Sequence, residues 1–179
     1  MHILKNLFIV VFLSFLFSIK GEAQTTEQSD FSGLKKCTVF SAGDDNVNSY
    51  RIPSLLTTKD GTLLVFCEAR RDSWRDKSRT DIVVKRSEDT GKTWSVMQDL
   101  TQGITGAYMD PTPILDSITG RIFLFTTFWP SEDHSGTKNR AILITSDDNG
   151  KTWSSPVDVT STIIPAGYHI VGFGPGARS

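Results

Sequence analysis

The sequence has few of the residues that build metal sites or disulfide frameworks. It contains two cysteines and three histidines in 179 residues, and the histidines, at positions 2, 134 and 169, are far apart. A metal site needs several converging ligands, so the sequence predicts no metal and no cofactor. Cys37 and Cys67 allow one pairing, but Cys67 lies in an apolar run, where a buried free thiol is the alternative to a disulfide.

The sequence also has no marked excess of positive or negative charge. The sequence has 19 basic and 20 acidic residues, which give a formal net charge of -1. This balance argues against a nucleic-acid-binding surface and against a polybasic membrane anchor. Beyond the first 23 residues, no stretch shows a sustained helical period, so a helical fold is not expected.

The longest apolar run is near the N-terminus and is only 12 residues long, at positions 7–18. A run of this length is too short to span a bilayer comfortably. Lys5 precedes it, and the small residues Gly21 and Ala23 follow, so the pattern predicts a signal peptide over residues 1–23 and export of the mature chain. Export here means secretion, the periplasm or the cell surface. An uncleaved anchor or a buried strand is the alternative, and residues 24–36 are expected to be a flexible lead-in.

An eight-residue pattern occurs twice, 59 positions apart. Residues 87–94 read SEDTGKTW, and residues 146–153 read SDDNGKTW. The same offset relates Phe66 to Phe125 and Leu56 to Leu115. A shared offset over this length indicates a repeated structural unit.

Each unit is predicted to contain four short strands, rich in β-branched and aromatic residues and separated by turn signals. The runs span 52–57, 62–69, 80–86 and 93–98 in the first unit, and 111–116, 121–128, 140–145 and 152–159 in the second. Four-stranded units at a fixed long period are typical of a β-propeller. Because a propeller must close, we expect an all-β domain that continues through about four more blades.

The repeated octapeptide predicts a turn rather than a catalytic group. Its aspartate can accept bonds from backbone N–H groups, its glycine allows a positive φ, and its tryptophan supplies an apolar anchor. These structural roles are assigned to Ser87, Asp89, Gly91, Trp94, Ser146, Asp148, Gly150 and Trp153.

Three further motifs carry a resemblance to a known family. They are Tyr-Arg-Ile-Pro at 50–53, Phe-Cys-Glu-Ala-Arg at 66–70 with an aspartate at 76, and Met-Asp-Pro-Thr at 109–112. The repeated octapeptide at 87–94 and 146–153 is known as the Asp box. Together with these two boxes, the three motifs make residues 38–179 similar to bacterial-type exo-α-sialidases (neuraminidases) with BNR repeats. The resemblance implies a six-bladed β-propeller, of which residues 37–179 would form the first two to three blades.

The resemblance also implies roles for residues of the first unit. Arg51 and Arg70 would bind the sialic acid carboxylate, and Asp76 would be the general acid and base. A guanidinium suits this task because it binds a carboxylate bidentately and stays charged. Arg71 and Asp72 are the alternatives to Arg70 and Asp76, and the family's tyrosine nucleophile, its glutamate and the third arginine are expected beyond Ser179.

In the second unit, the resemblance places three residues near the sugar. Asp110 would contact a hydroxyl or the N-acetyl group, and Met109 and Trp129 would contact the acetyl methyl, with ordinary core packing as the alternative for these two. The implied function is hydrolysis of terminal α-linked sialic acids from glycoproteins, glycolipids and oligosaccharides. A non-catalytic propeller that binds glycans or proteins, and a propeller glycosidase acting on another sugar, are the competing hypotheses.

Overall fold

Eight β-strands dominate the computed structural model, which describes residues 36–103, 105–133, 135–174 and 176. The strands are β1 (Ser49–Thr57), β2 (Leu63–Arg70), β3 (Thr80–Ser87), β4 (Gln98–Asp99), β5 (Gly106–Leu115), β6 (Ile122–Pro130), β7 (Arg140–Ser146) and β8 (Val157–Asp158). Helical structure within these ranges is limited to a 3-10 turn at Asp44–Asn46 and to α1 (Thr160–Ile163).

The predicted signal peptide at 1–23 lies outside the described residues, as does the predicted lead-in except residue 36. Within the described ranges, the helices are too short and too polar to cross a membrane.

The strands form two antiparallel four-stranded units, β1–β4 and β5–β8. Neighbouring strands pair within each unit, and one parallel pair, Thr80 with Ala107, joins the two. This arrangement confirms the expected all-β fold and the four-stranded repeat. The outer strands are much shorter than predicted, because most residues of the Asp boxes fold as turns before β4 and β8 begin.

The repeat offset of 59 residues does not hold for the first strand of each unit. Leu56 pairs with Leu64 in the first unit, and Ile114 pairs with Phe123 in the second. Leu64 and Phe123 are 59 positions apart, but Leu56 and Ile114 are 58 apart. The predicted match of Leu56 with Leu115 is therefore wrong by one residue, because the turn after β5 is one residue longer than the turn after β1.

The main core lies between the two units. Its buried members come from both units, since each unit turns one apolar face towards the other. They are Leu56, Leu64, Phe66, Ile82, Val84, Leu100, Leu115, Ile122, Leu124, Ile142 and Ile144. Trp153 of the second box packs edge-on against Phe66, with ring centroids 5.6 Å apart. The second box therefore anchors one unit on the other.

Both Asp boxes form the same hydrogen-bonded turn. In the first, the Asp89 carboxylate accepts bonds from the backbone N–H of Thr93 at 2.9 Å and from its hydroxyl at 2.6 Å. In the second, Asp148 accepts the corresponding bonds from Thr152 at 2.9 and 2.6 Å. Gly150 has a φ of 74°, which few other residues adopt. The carboxylates thus serve the turn.

These bonds make stability depend on pH. Burial acts to raise the pKa of Asp148, but bonds from Thr152 and Ser146 lower it to about 2. A carboxyl whose pKa is lower in the folded state stabilises the fold above its unfolded pKa of about 3.9, and this contribution disappears as the pH falls towards 2. We expect the thermal midpoint to fall over that range and to fall less steeply in Asp148→Asn, as measured by circular dichroism. Asp72→Asn, in an exposed loop, is the control, and its thermal midpoint should depend on pH as in the wild type. An equally steep fall of the midpoint in the wild type and in Asp148→Asn would contradict the prediction.

The two cysteines are both free. Cys37 is exposed, whereas Cys67 is buried and its thiol donates a bond to the Arg51 carbonyl at 3.0 Å. Burial raises the pKa of the Cys67 thiol to about 12, so it stays protonated. Of the two alternatives left by the sequence, the structure shows the free buried thiol.

Candidate active site

Two β-bulges shape the strands that carry the candidate site. Pairing of β1 with β2 shifts between Arg51 and Ser54, and pairing of β5 with β6 shifts between Met109 and Thr112. Inside these bulges, Ile52 has a φ of 52° and Asp110 a φ of 59°. Bulges redirect side chains, and strained backbone of this kind is frequent near functional sites.

Arg51, Arg70 and Asp76 meet at one point. The Asp76 Oδ1 atom lies 2.6 Å from Arg70 Nη1 and 3.4 Å from Arg51 Nη1. Arg70 is buried, with 1% of its side chain exposed, whereas Arg51 and Asp76 expose 47% and 66%. The structure therefore brings the three sequence-predicted residues together, with Arg51 and Asp76 open to solvent.

The guanidinium of Arg70 is largely occupied by protein partners. Its Nε and Nη2 atoms donate to Glu68 Oε2 at 3.1 and 2.8 Å, and Nη1 donates to the Trp74 carbonyl at 2.7 Å. These contacts leave Arg70 little capacity for a bidentate bond to a ligand. Arg51, whose guanidinium contacts Asp76, is the more open of the two cations.

The loop 71–79 positions Asp76, and Arg71 and Asp72, the alternatives to Arg70 and Asp76, do not join this cluster. The Arg71 N–H donates to the Arg79 carbonyl at 2.9 Å, which closes the loop. The Arg71 side chain pairs with Asp81 at 2.9 Å and also with Asp99. Asp72 is exposed, and within the described ranges it forms no ion pair. Arg70 and Asp76, rather than Arg71 and Asp72, therefore face each other.

Asp110 lies on the second unit, beside the same cluster. Its backbone N–H donates to Glu68 Oε1 at 3.0 Å. Burial and the nearby Asp76 carboxylate raise the pKa of Asp110, and Arg70 opposes this effect. Gly172 comes close: a Cβ atom at that position would lie 3.0 Å from Asp110 Oδ2. Asp110 is thus half-buried between β2 and the segment that follows α1.

Met109 precedes Asp110 on β5, and Trp129 lies on the neighbouring strand β6, where it contacts the Asp76 loop through Lys77. The Met109 carbonyl accepts a bond from the Thr126 hydroxyl at 2.6 Å. Trp129 donates its Nε1–H to the Asp133 carbonyl at 2.8 Å, and the Lys77 ammonium lies 3.7 Å from its ring centroid. One face of Trp129 is therefore covered by a cation, so an apolar contact with a ligand would need the other face.

The Asp boxes lie far from this cluster. β3 begins at Thr80, which pairs with Arg70, and ends at Ser87, the first residue of the first box. A strand rises about 3.3 Å per residue, so the site and the box are separated by roughly 20 Å. This distance supports the structural role predicted for the boxes.

Sequence reasoning did not single out two residues of the site, Glu68 and Lys77. Glu68 precedes Arg70 by two positions on a strand, and this spacing places both side chains on one face of the sheet. That signal could have identified Glu68. The contact of Lys77 with Trp129 joins positions far apart in sequence, and no local pattern predicts it.

The comparisons with known proteins agree with the fold and the repeat. Residues 52–177 match the family model of the BNR repeat-like domain. A sialidase from Paraclostridium sordellii is 35% identical over 140 residues, which cover 71% of this chain and 34% of that protein. Sialidase-2 from Mus musculus is 37% identical over 145 residues, which cover 73% of this chain and 37% of that protein. The chain spans about a third of the length of such curated relatives.

Solved structures give the same result. The Hadza microbial sialidase Hz136 is 29% identical and superposes with a TM-score of 0.70, covering 77% of this chain and 31% of that protein. A leech intramolecular trans-sialidase, solved with 2,7-anhydro-Neu5Ac, is 19% identical with a TM-score of 0.67, covering 82% of this chain and 40% of that protein. The second likeness concerns the fold alone. The two four-stranded units thus correspond to part of a larger propeller.

Proposed function

We propose, because this chain belongs to the sialidase family of BNR-repeat proteins, that the protein containing it is an exo-α-sialidase. Its substrates would be terminal α-linked sialic acids of glycoproteins, glycolipids and oligosaccharides. The observation that carries the proposal is that the exposed Asp76 carboxylate lies 3.4 Å from Arg51 and 2.6 Å from Arg70. A propeller that only binds a partner does not need an aspartate placed between two arginines.

In this proposal Arg51 and Arg70 hold the carboxylate of the sialic acid. Arg51 would make the main contact, because its guanidinium is the more exposed. Arg70 would supply positive charge and its remaining N–H. Without a ligand, the Asp76 carboxylate occupies both cations, and a bound sialate would compete with it for Arg51. The site thus holds an internal carboxylate where the substrate's own carboxylate would bind.

Asp76 would act as general acid towards the leaving glycoside and then as general base for water. Sialidases use a tyrosine nucleophile in place of a second carboxylate. We propose that this tyrosine, its partner glutamate and a third arginine come from parts of the protein outside this chain. The reaction as proposed requires no metal and no cofactor.

The second unit would line the sugar-binding pocket. Asp110 would accept a bond from a sugar hydroxyl or the N-acetyl group, since it lies beside Arg70 and Asp76. Met109 and the face of Trp129 that Lys77 leaves free would contact the acetyl methyl.

We further propose the organisation and location of the protein. Residues 1–23 would be a signal peptide, residues 24–36 a lead-in, and residues 37–179 the N-terminal part of the catalytic propeller. The apolar run at 7–18 with Lys5 before it supports export. Cleavage would be detected as a mature N-terminus at Gln24 by N-terminal sequencing of the exported protein, and retention of Met1 would contradict it.

The function is tested by assaying the complete protein on a fluorogenic α-sialoside. We expect turnover by the complete protein and none by residues 24–179 alone, because the proposed nucleophile is absent from them. Matched galactoside and glucoside substrates are the controls, since their lack of a carboxylate leaves Arg51 without a partner. Turnover of a neutral glycoside would support the competing hypothesis of a propeller glycosidase that acts on another sugar. Binding of sialylated glycans without turnover would support the non-catalytic propeller.

A further inference from the structure

Glu68 is a fully buried carboxylate between the two four-stranded units, and the proposed chemistry gives it no role. Its side chain is 0% exposed. One oxygen, Oε2, accepts from Arg70 Nε at 3.1 Å and from Nη2 at 2.8 Å. The other, Oε1, accepts from the Asp110 backbone N–H at 3.0 Å. One carboxylate therefore binds a cation of the first unit and a peptide group of the second.

We propose that Glu68 is a positioning residue that holds Arg70 and Asp110 in register across the two units. This inference rests on the proposed function, in which both partners contact the sugar. A buried carboxylate must have its partners in place, because an unpaired charge in the interior is strongly unfavourable. Both oxygens of Glu68 have hydrogen-bond partners. They keep these partners only when Arg70 and Asp110 occupy the positions observed.

The bonds to Arg70 and the bond to Asp110 constrain different properties of the site. The paired bonds to Nε and Nη2 fix the plane of the Arg70 guanidinium and leave Nη1 facing Asp76 at 2.6 Å. The bond to Asp110 N–H fixes a residue whose φ of 59° is unfavourable for an aspartate and persists only where its surroundings hold it. Glu68 thus sets the position of the Arg70 guanidinium relative to the Asp110 backbone, and the proposed reaction uses both residues.

Glu68→Gln tests the proposal with little change in volume. An amide has one acceptor oxygen, so glutamine can serve Arg70 or Asp110 but not both. In the complete protein we expect kcat/KM on an α-sialoside to fall about 10- to 100-fold, the equivalent of one lost charge-assisted hydrogen bond. Most of the loss should be in KM, because the groups displaced bind substrate. The control is Glu88→Gln, an exposed glutamate paired with Arg86 in the same unit, whose kcat/KM should match the wild type.

A double-mutant cycle separates positioning from general structural support. In an Arg70→Met background Glu68 has lost its cation, so Glu68→Gln should reduce kcat/KM by a smaller factor than in the wild type. It should also raise the thermal midpoint there, because it removes an unpaired buried charge. Equal losses of kcat/KM in the two backgrounds would overturn the proposal.

Crystal structures of the wild type and Glu68→Gln make the inference independent of activity. If the wild type does not hydrolyse sialosides, the proposed function fails, and the structures still decide the role of Glu68. We expect the Arg70 guanidinium or the Asp110 peptide to shift by about 1 Å or more, since one of them loses its acceptor. Unchanged positions of both groups in Glu68→Gln would overturn the inference.

Discussion

Replacing Asp76 by alanine in the complete protein should lower kcat on an α-sialoside by about 10²- to 10⁴-fold, the usual contribution of a positioned general acid or base. The reason is geometric: Asp76 is the carboxylate that lies between Arg51 and Arg70, at 3.4 and 2.6 Å. Because its side chain is 66% exposed, the fold should tolerate the change. Steady-state kinetics and a thermal melt on the same sample measure the two effects.

Asp72→Ala is the matched control for this prediction. Asp72 lies in the same loop and is exposed, but the arginines contact Asp76 instead. We expect wild-type kcat in Asp72→Ala. A loss in Asp72→Ala with normal turnover in Asp76→Ala would show that the acid has been assigned to the wrong aspartate. A large loss of thermal stability in Asp76→Ala would mean that its effect on turnover is structural.

Replacing Phe66 by alanine should have the largest effect on stability, a decrease of about 3–5 kcal/mol in the free energy of unfolding. Phe66 is 0% exposed and lies in the core between the two units. Its ring meets Trp153 edge-on at 5.6 Å, so truncation removes apolar contacts and leaves a cavity that a rigid sheet cannot close. Denaturant unfolding followed by tryptophan fluorescence measures the change.

Two further variants serve as comparisons for the loss of unfolding free energy expected in Phe66→Ala. Phe66→Leu keeps most of the apolar volume and loses the aromatic contact, so its cost should be clearly smaller. Ile118→Ala changes an apolar residue that is 85% exposed in a turn, and it should alter stability by no more than about 0.5 kcal/mol. A cost for Phe66→Ala as small as that of Ile118→Ala would show that the two units do not depend on this contact.

Much of the fold could be predicted from the sequence because its signals are local. The Asp box is such a signal, since Asp148 bonds to Thr152 only four residues away. The central strands follow from short apolar runs bounded by turns, and these were predicted to within a few residues of their observed ends. The outer strands β4 and β8 were not, because the pairing of two residues at a sheet edge depends on the neighbouring strand.

The candidate site was predictable only in part. The motifs that resemble those of sialidases pointed to Arg51, Arg70 and Asp76, and the structure brings these three together. The sequence assigned Arg51 and Arg70 the same task, whereas the structure shows that Glu68 and Trp74 occupy most of the Arg70 guanidinium. Which partner an arginine meets depends on strand register and burial, which its neighbours in sequence do not specify.

The sequence by itself determined the repeat, the all-β class and the turn chemistry of the boxes, and its resemblance to sialidases pointed to Arg51, Arg70 and Asp76. The strands and the box turns depend on apolar periods or bonds within a few residues, and the side chains alone specify them. Only the tertiary structure decided that Arg70 rather than Arg71 faces Asp76 and that Glu68 joins β2 to the Asp110 bulge. The second of these contacts connects residues 42 positions apart, and it exists because β2 of the first unit lies beside the bulge of β5 in the second.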